Sequence, residues 1–442
     1  MDTLPQELIN RIALQLERCS DQPQVPLLMQ ECTEDSNATL SEPWKDAVEF
    51  INFHSLRVRS DQLRDFQIKV TGNRRSYLRR LIYSVVLPEY PKEVYAQIET
   101  VQEQQANNEA LTRAISDLFV ILKSWEDEGL QSTLTLRLED VYAETDLRVK
   151  HMGYDRPRRD VDILSDRYAE SFLEISDSLG FPSLSNVVCL VVEGNRTRKL
   201  APSVGTSLAA NLANLNSISW IFGEDDERTR IVDNRIQFAQ ALNRLQIPHC
   251  SDADLEFYQE EVFNQAQPQP ARVSAGSPNA TTTTSPPPAW PNLPRLIVKF
   301  NMVSSSGAWY FTGQQPDPNF IGGDNDYCQF REHGDEATLN PLLAAFAKAV
   351  QKMPALEHFM LECVLGNELG FWEVAYYAPG LFADWGDEGP EDQLLRRLYY
   401  TVGEVWRPDS VIAEGLRSAG RDKYGERLLE RFVGEPRLFS RD

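Results

Sequence analysis

Two hydrophobic periods take turns along this chain. Stretches whose apolar residues recur every three or four positions, the spacing of one helix face, give way to stretches that alternate, the spacing of one strand face. Residues 61–70 (DQLRDFQIKV) precede LIYSVVL at 81–87, and LTRAISDLFVILK at 111–123 precedes TLTLRLE at 133–139. LSDRYAESFLEISDSL at 164–179 precedes NVVCLVVE at 186–193, and SLAANLANL at 207–215 precedes SISWIF at 217–222. IQFAQALNRL at 236–245 is followed, after a long polar stretch, by RLIVKF at 295–300. Residues 340–364 run helix, turn and strand without a break. Leu134, Leu136 and Leu138 show the alternation most cleanly, as a strand with one buried face requires.

A helix–strand unit cannot bury its own apolar face. Neighbouring units stacked into a parallel, curved sheet backed by helices can. The predicted fold class is therefore α/β: a small N-terminal helical lobe, then an irregular leucine-rich-repeat-like array of helix–strand units. Strand starts are unevenly spaced, from 31 residues (186 to 217) to 78 (217 to 295). Leucine-rich repeats recur at roughly 20–29 residues. A degenerate array with insertions and an ordinary α/β sheet both stay open. Beyond Val364 the aromatic-rich stretches 371–385 and 394–406 predict hairpin-like strands that close the end.

The first sixteen residues, MDTLPQELINRIALQL, carry the strongest helical stripe. Leu4, Leu8, Ile9, Ile12 and Leu16 share one face. Thr3 caps the helix, Gln6 stands at the capping-box position, and Pro5 falls in the first turn, where its missing N–H has no intrahelical partner. An apolar stripe of this kind has to be covered by something.

Composition narrows the function classes. With 442 residues and 42% apolar content, the chain can bury a sizeable core. Its formal charge of −22 argues against nucleic acid and anionic membrane surfaces as main partners. The six cysteines form no C-x-x-C pair, which implies a reducing compartment, and Cys189 within VVCLVV reads as a small buried thiol. With no secretory signal and no apolar run of about 18 residues, a cytoplasmic or nuclear protein is expected. Residues 264–292, with seven prolines and four consecutive threonines, predict a disordered insertion.

Catalytic signatures are scarce. No H-E-x-x-H, P-loop, G-x-G-x-x-G or G-x-S-x-G occurs among the 442 residues. His358 falls in a predicted strand, where a structural role is expected. Asp324 and Asp326 form an Asp-x-Asp that a polar turn explains, with a hard-cation site as the alternative. A solvated loop explains Glu224–Glu227 in the same way. The basic clusters Arg74, Arg75, Arg79, Arg80 and Arg156, Arg158, Arg159 are expected to pair with the protein's own carboxylates, or else to meet phosphate or an acidic peptide. No cofactor and no metal are expected.

Leu4-Pro5-x-Glu7-Leu8-Ile9-x-x-Ile12-x-x-x-Leu16 resembles the opening of an F-box. Ser41 to Glu49, with Trp44, resembles the later F-box helix. Asn52-Phe53-His54-Ser55-Leu56-Arg57-Val58 and Arg79 to Tyr90 resemble the segments that come after the F-box in proteins of the filamentous-fungal type. The resemblance covers about the first 90 residues by motif. It implies an F-box-like helical domain over 1–60, leucine-rich-repeat-like units over 61–263, the insertion over 264–292, and last units with a C-terminal cap over 293–442. It further implies a non-catalytic substrate-recognition subunit that docks on a Skp-type adaptor and through it on a cullin–RING ubiquitin ligase. Leu4, Pro5, Glu7, Leu8, Ile9, Ile12, Leu16 and Trp44 would then be the adaptor contacts. The target protein stays unidentified. An interaction scaffold without a ligase partner and an unrecognised enzyme are the other readings.

Overall fold

The computed structural model describes residues 42–130, 132–152, 164, 166–168, 171–176, 180–194, 198–223, 228–245, 247–258, 290–304, 308–314, 330–366, 369–383, 389–402 and 406–433. The chain divides into two compact units, Met1–Leu215 and Asn216–Asp442. Both are α/β, built of helices and mostly parallel strands. Of the expected lobe over 1–60, only 42–60 fall among the described residues, and of the insertion over 264–292 only Trp290, Pro291 and Asn292 do.

In the first unit, helix α1 (Glu42–His54) runs directly into strand β1 (Ser55–Arg59). Helices α2 (Leu63–Lys69) and α3 (Asn73–Tyr77) lead to β2 (Arg80–Leu87). Helix α4 (Val101–Asp127) is much longer than its apolar stripe suggests, because its start is capped. The Thr100 hydroxyl accepts from the Glu103 N–H at 3.2 Å, and the Glu103 carboxylate accepts from the Thr100 N–H at 2.8 Å. Then come β3 (Leu134–Ala143), α5 (Glu144–Met152), β4 (Val187–Glu193) and α6 (Ser203–Ala209).

Strands β1 to β4 pair in parallel and in chain order. Their register lines up two buried rows: Leu56, Leu81, Leu136 and Leu190, then Val58, Tyr83, Leu138 and Val192. Each such side chain contributes about 1.5–3 kcal/mol of burial. Helix α4 packs over this face. The Tyr83 hydroxyl donates to the Ala114 carbonyl at 2.8 Å, and Trp125 meets Phe66 at 5.1 Å between ring centroids.

The helix expected over 164–179 does not run that far. Residues 164 and 166–168 are helical, but Phe172–Leu173 is extended and pairs in parallel with Lys199–Leu200. The polar side of α4 is the cause. Gln104 donates to the Phe172 carbonyl at 3.1 Å, while Asn108 and Thr112 accept from the N–H groups of Glu174 and Ser176 at 3.0 and 2.9 Å. Those bonds satisfy the extended backbone in place of helical ones.

The second unit opens with β5 (Ser217–Gly223) and α7 (Arg228–Arg244). It continues with β6 (Asp252–Tyr258), β7 (Arg295–Lys299), α8 (Glu336–Val350) and β8 (His358–Gly366). Strands β9 (Gly370–Tyr377) and β10 (Arg396–Thr401), helix α9 (Ser410–Arg417) and β11 (Leu428–Val433) close it. Strands β5 to β8 are parallel and follow chain order. β9 pairs antiparallel with both β8 and β10, as the aromatic-rich stretches predict, and β11 returns parallel to β10. Strand β6 is absent from the expected series, which runs from the helix at 236–245 straight to the insertion.

Inward rows again form a core: Ile218, Ala253, Leu296 and Phe359, then Trp220, Leu255, Val298 and Leu361. Phe238 of α7 meets Trp220 at 6.2 Å, and Phe346 of α8 meets Phe359 at 5.2 Å. In each parallel run the strand order advances in one direction. With right-handed crossovers, such an order puts every connecting helix on the same face of the sheet. The opposite face is free to carry polar side chains.

Candidate interaction surface

The outer face of the second unit is set by alternation within β6. Ala253, Leu255 and Phe257 point toward the helices, so Asp252, Asp254 and Glu256 point the other way. Register then builds three rows across β6, β7, β8 and β9. The first is Asp252, Arg295, His358 and Tyr377; the second Asp254, Ile297, Met360 and Ala375; the third Glu256, Lys299, Glu362 and Glu373.

Charge pairing within these rows is uneven. Arg295 Nη1 lies 2.6 Å from Asp252 Oδ1, and Lys299 Nζ stands 3.6 Å from Glu256 and 3.9 Å from Glu362. Asp254 takes part in no hydrogen bond or ion pair among the described residues. Burial pushes its carboxyl above the ordinary value, against the pull of Lys299 and Arg295. Burial raises Glu362 likewise, although Lys299 opposes it. The His358 ring lies 4.7 Å from that of Tyr377, and burial, helped by Arg295, lowers its pKa to about 4.

The outer face of the first unit is better balanced. Arg57 pairs with Glu139, Arg137 with Glu193 at 2.7 Å, and Arg59 with Asp61 at 2.9 Å and with Glu144. Cys189 lies on this face, half-buried, and not in the core where its apolar neighbours would place it. The reason is parity: Leu190 and Val192 take the inward positions.

Beyond the C-terminal ends of β2, β3 and β4, four segments meet in a buried polar knot. Tyr90 follows β2, Asp146 follows β3, Arg198 follows β4, and Glu99 precedes α4. Arg198 donates to Glu99 at 2.7 Å and to Asp146 at 3.2 Å, with all three side chains at most 2% exposed. Tyr90 and Tyr168 donate their hydroxyls to Asp146 Oδ1 at 2.6 and 2.7 Å. Burial and this carboxylate drive both hydroxyls well above their ordinary pKa, against the pull of Arg198. Arg167, 1% exposed, bonds Glu103 and the carbonyls of Val94 and Gln97. The knot fastens the loops at this end of the sheet. Open α/β sheets bind ligands where strand order reverses, and neither parallel run reverses.

The expected adaptor contacts Leu4, Pro5, Glu7, Leu8, Ile9, Ile12 and Leu16 lie outside the described residues. Trp44 falls in α1, which is anchored by Phe50 against Tyr77 of α3 at 5.7 Å and by Glu49 to Arg74 at 2.8 Å. Arg75 pairs with Glu128 and lies over the Trp125 ring at 5.2 Å. Arg74 and Arg75 thus meet the protein's own carboxylates, as expected. Arg156, Arg158, Arg159, Glu224–Glu227, Asp324 and Asp326 lie outside the described residues. Among the described residues, no three or more metal-ligating side chains gather, and no helix is long and apolar enough to cross a membrane. Asp252, Asp254 and Glu256 are not among the residues expected from sequence, although the D-x-D-x-E alternation against Ala253, Leu255 and Phe257 announces them.

No protein-family model matches the chain, and no curated protein does either.

Proposed function

We propose that the chain is a non-catalytic, F-box-type substrate-recognition subunit, linking a target protein to a Skp/cullin/RING ubiquitin ligase. The observation that carries this reading is the one-directional order of the parallel strands, with helices behind and a charged face in front. Such an order suits a degenerate leucine-rich-repeat-like array, whose business is holding another polypeptide on exposed side chains. The N-terminal motif supplies the other half. Leu4, Leu8, Ile9, Ile12 and Leu16 would lay one helix face into an adaptor groove, with Pro5, Glu7 and Trp44 beside them. The contribution to ubiquitin transfer is proximity: a held lysine reacts at raised effective concentration.

Capture of the full chain by a recombinant Skp-type adaptor tests this. Wild-type protein is expected to bind at micromolar concentration or below. Leu8→Asp with Ile12→Asp should abolish capture and leave the melting temperature unchanged. A folded wild type that the adaptor ignores overturns the ligase reading in favour of a scaffold without that partner. A double variant that unfolds the whole chain shows the stripe to be core.

A further inference from the structure

We propose that the outer face of β6, β7 and β8 binds an extended basic segment of a partner polypeptide, laying a lysine or arginine stem across Met360 with its cationic head against Asp254. The inference deepens the recognition reading above and rests on it for the kind of partner.

Charge complementarity carries the choice of occupant. The face presents the carboxylates Asp252, Asp254, Glu256 and Glu362 against the cations Arg295 and Lys299. Arg295 is engaged by Asp252, and Lys299 is shared between Glu256 and Glu362. Asp254 is left over, in the middle row. Its neighbours across the strands are Ile297, 6% exposed, and the half-buried Met360. Adjacent strands stand about 4.8 Å apart, so Met360 stands about 10 Å from Asp254, with the buried Ile297 between them.

That arrangement suits an amphipathic side chain and little else. A long basic residue packs its methylene stem on apolar surface while its charge reaches a carboxylate at the edge. The Met360 thioether adapts to either stem. An acidic segment would meet four carboxylates, and a wholly apolar one would cover Asp254 without a partner, which burial already disfavours. A β-strand-like segment presents every second side chain to one face, matching the two-residue step between rows. Its next basic residue would fall near Glu256 and Glu362.

Fluorescence anisotropy of the full chain with a short labelled peptide of alternating lysine and threonine tests the proposal, beside the same peptide carrying glutamate for lysine. Asp254→Asn with Glu362→Gln should weaken the lysine peptide by about five- to thirtyfold. Glu332→Gln with Glu336→Gln, two exposed carboxylates at and before the start of α8, removes the same charge and should change it less than about twofold. Met360→Lys, which supplies a tethered cation, should also block the peptide and keeps the test decisive if the double variant misfolds. Equal losses in both double variants would mean that only net charge matters and would overturn the site. Absence of lysine-peptide binding by the wild type, or tighter binding of the glutamate peptide, would overturn it too. Leu8→Asp with Ile12→Asp should leave peptide binding intact, so a failure of adaptor capture and a failure of this site are read separately.

Discussion

His358 shows how a single position couples the outer face to stability. Its ring lies tilted against that of Tyr377 and stays neutral, because burial first and Arg295 second lower its pKa to about 4, with Asp252 opposing. In the unfolded chain the ring titrates near its ordinary 6.5. Between those values the unfolded state holds the extra proton, so stability rises with pH across that window and falls as the solution is acidified. The difference amounts to at most ~3 kcal/mol. Asp254 and Glu362 act with the opposite sign, since their raised carboxyls hold protons longer in the folded state. Comparing wild type with His358→Phe by urea unfolding at each pH removes that background. The wild type should lose stability relative to the variant from pH 6.5 down to about 4 and no further. A constant difference over that range would show that the ring is not held neutral by the fold.

At the scale of elements, α8 and α9 depend on a missing side chain. A Cβ at Gly415 would stand 2.8 Å from the Ala347 Cβ, closer than two such atoms approach. Gly415→Ala gains helix propensity of about 1 kcal/mol but forces the helices apart, at about 1–3 kcal/mol. The melting temperature should therefore fall. A rise would mean that propensity wins and that the two helices are not tightly packed there. The sequence pattern anticipates most of these elements where one side chain period dominates. β2, β3, β4 and β5 alternate or run apolar between turn residues, and the structure places each within a few residues of expectation. Where two influences compete, the pattern fails. Phe172 and Leu173 lie in a sequence with helical spacing, yet Gln104, Asn108 and Thr112 of a distant helix hold that backbone extended. The start of α4 escapes the apolar pattern because its first turns are polar, although Thr100 and Glu103 spell a capping box. β6 alternates cleanly but carries three carboxylates and abuts a long polar stretch, so the expected series passes over it. That omission hides the candidate surface, because the three outward residues of β6 supply most of its negative charge.

For the whole molecule, the formal charge of −22 is one property that composition alone conveys. Where the charge is balanced and where it is not depends on register: Arg57, Arg59 and Arg137 meet carboxylates on one sheet face, while Asp254 meets Ile297 on another. Register is a property of pairing between strands far apart in sequence, and no local pattern states it. The chain-order pairing of the parallel strands has a further consequence. Among the described residues, β1, β2 and β3 pair only with strands next to them in chain order, so β1, the outermost of the three, can detach without disturbing β3. Local opening should then begin at the rim and work inward. Amide hydrogen exchange read by mass spectrometry should find β1 least protected, β2 intermediate and β3 slowest. Equal protection in all three would mean that the first unit opens only as a whole. A sheet of this kind keeps its middle closed while its rim breathes, which leaves the rim strands as the places where the fold most readily tolerates replacement.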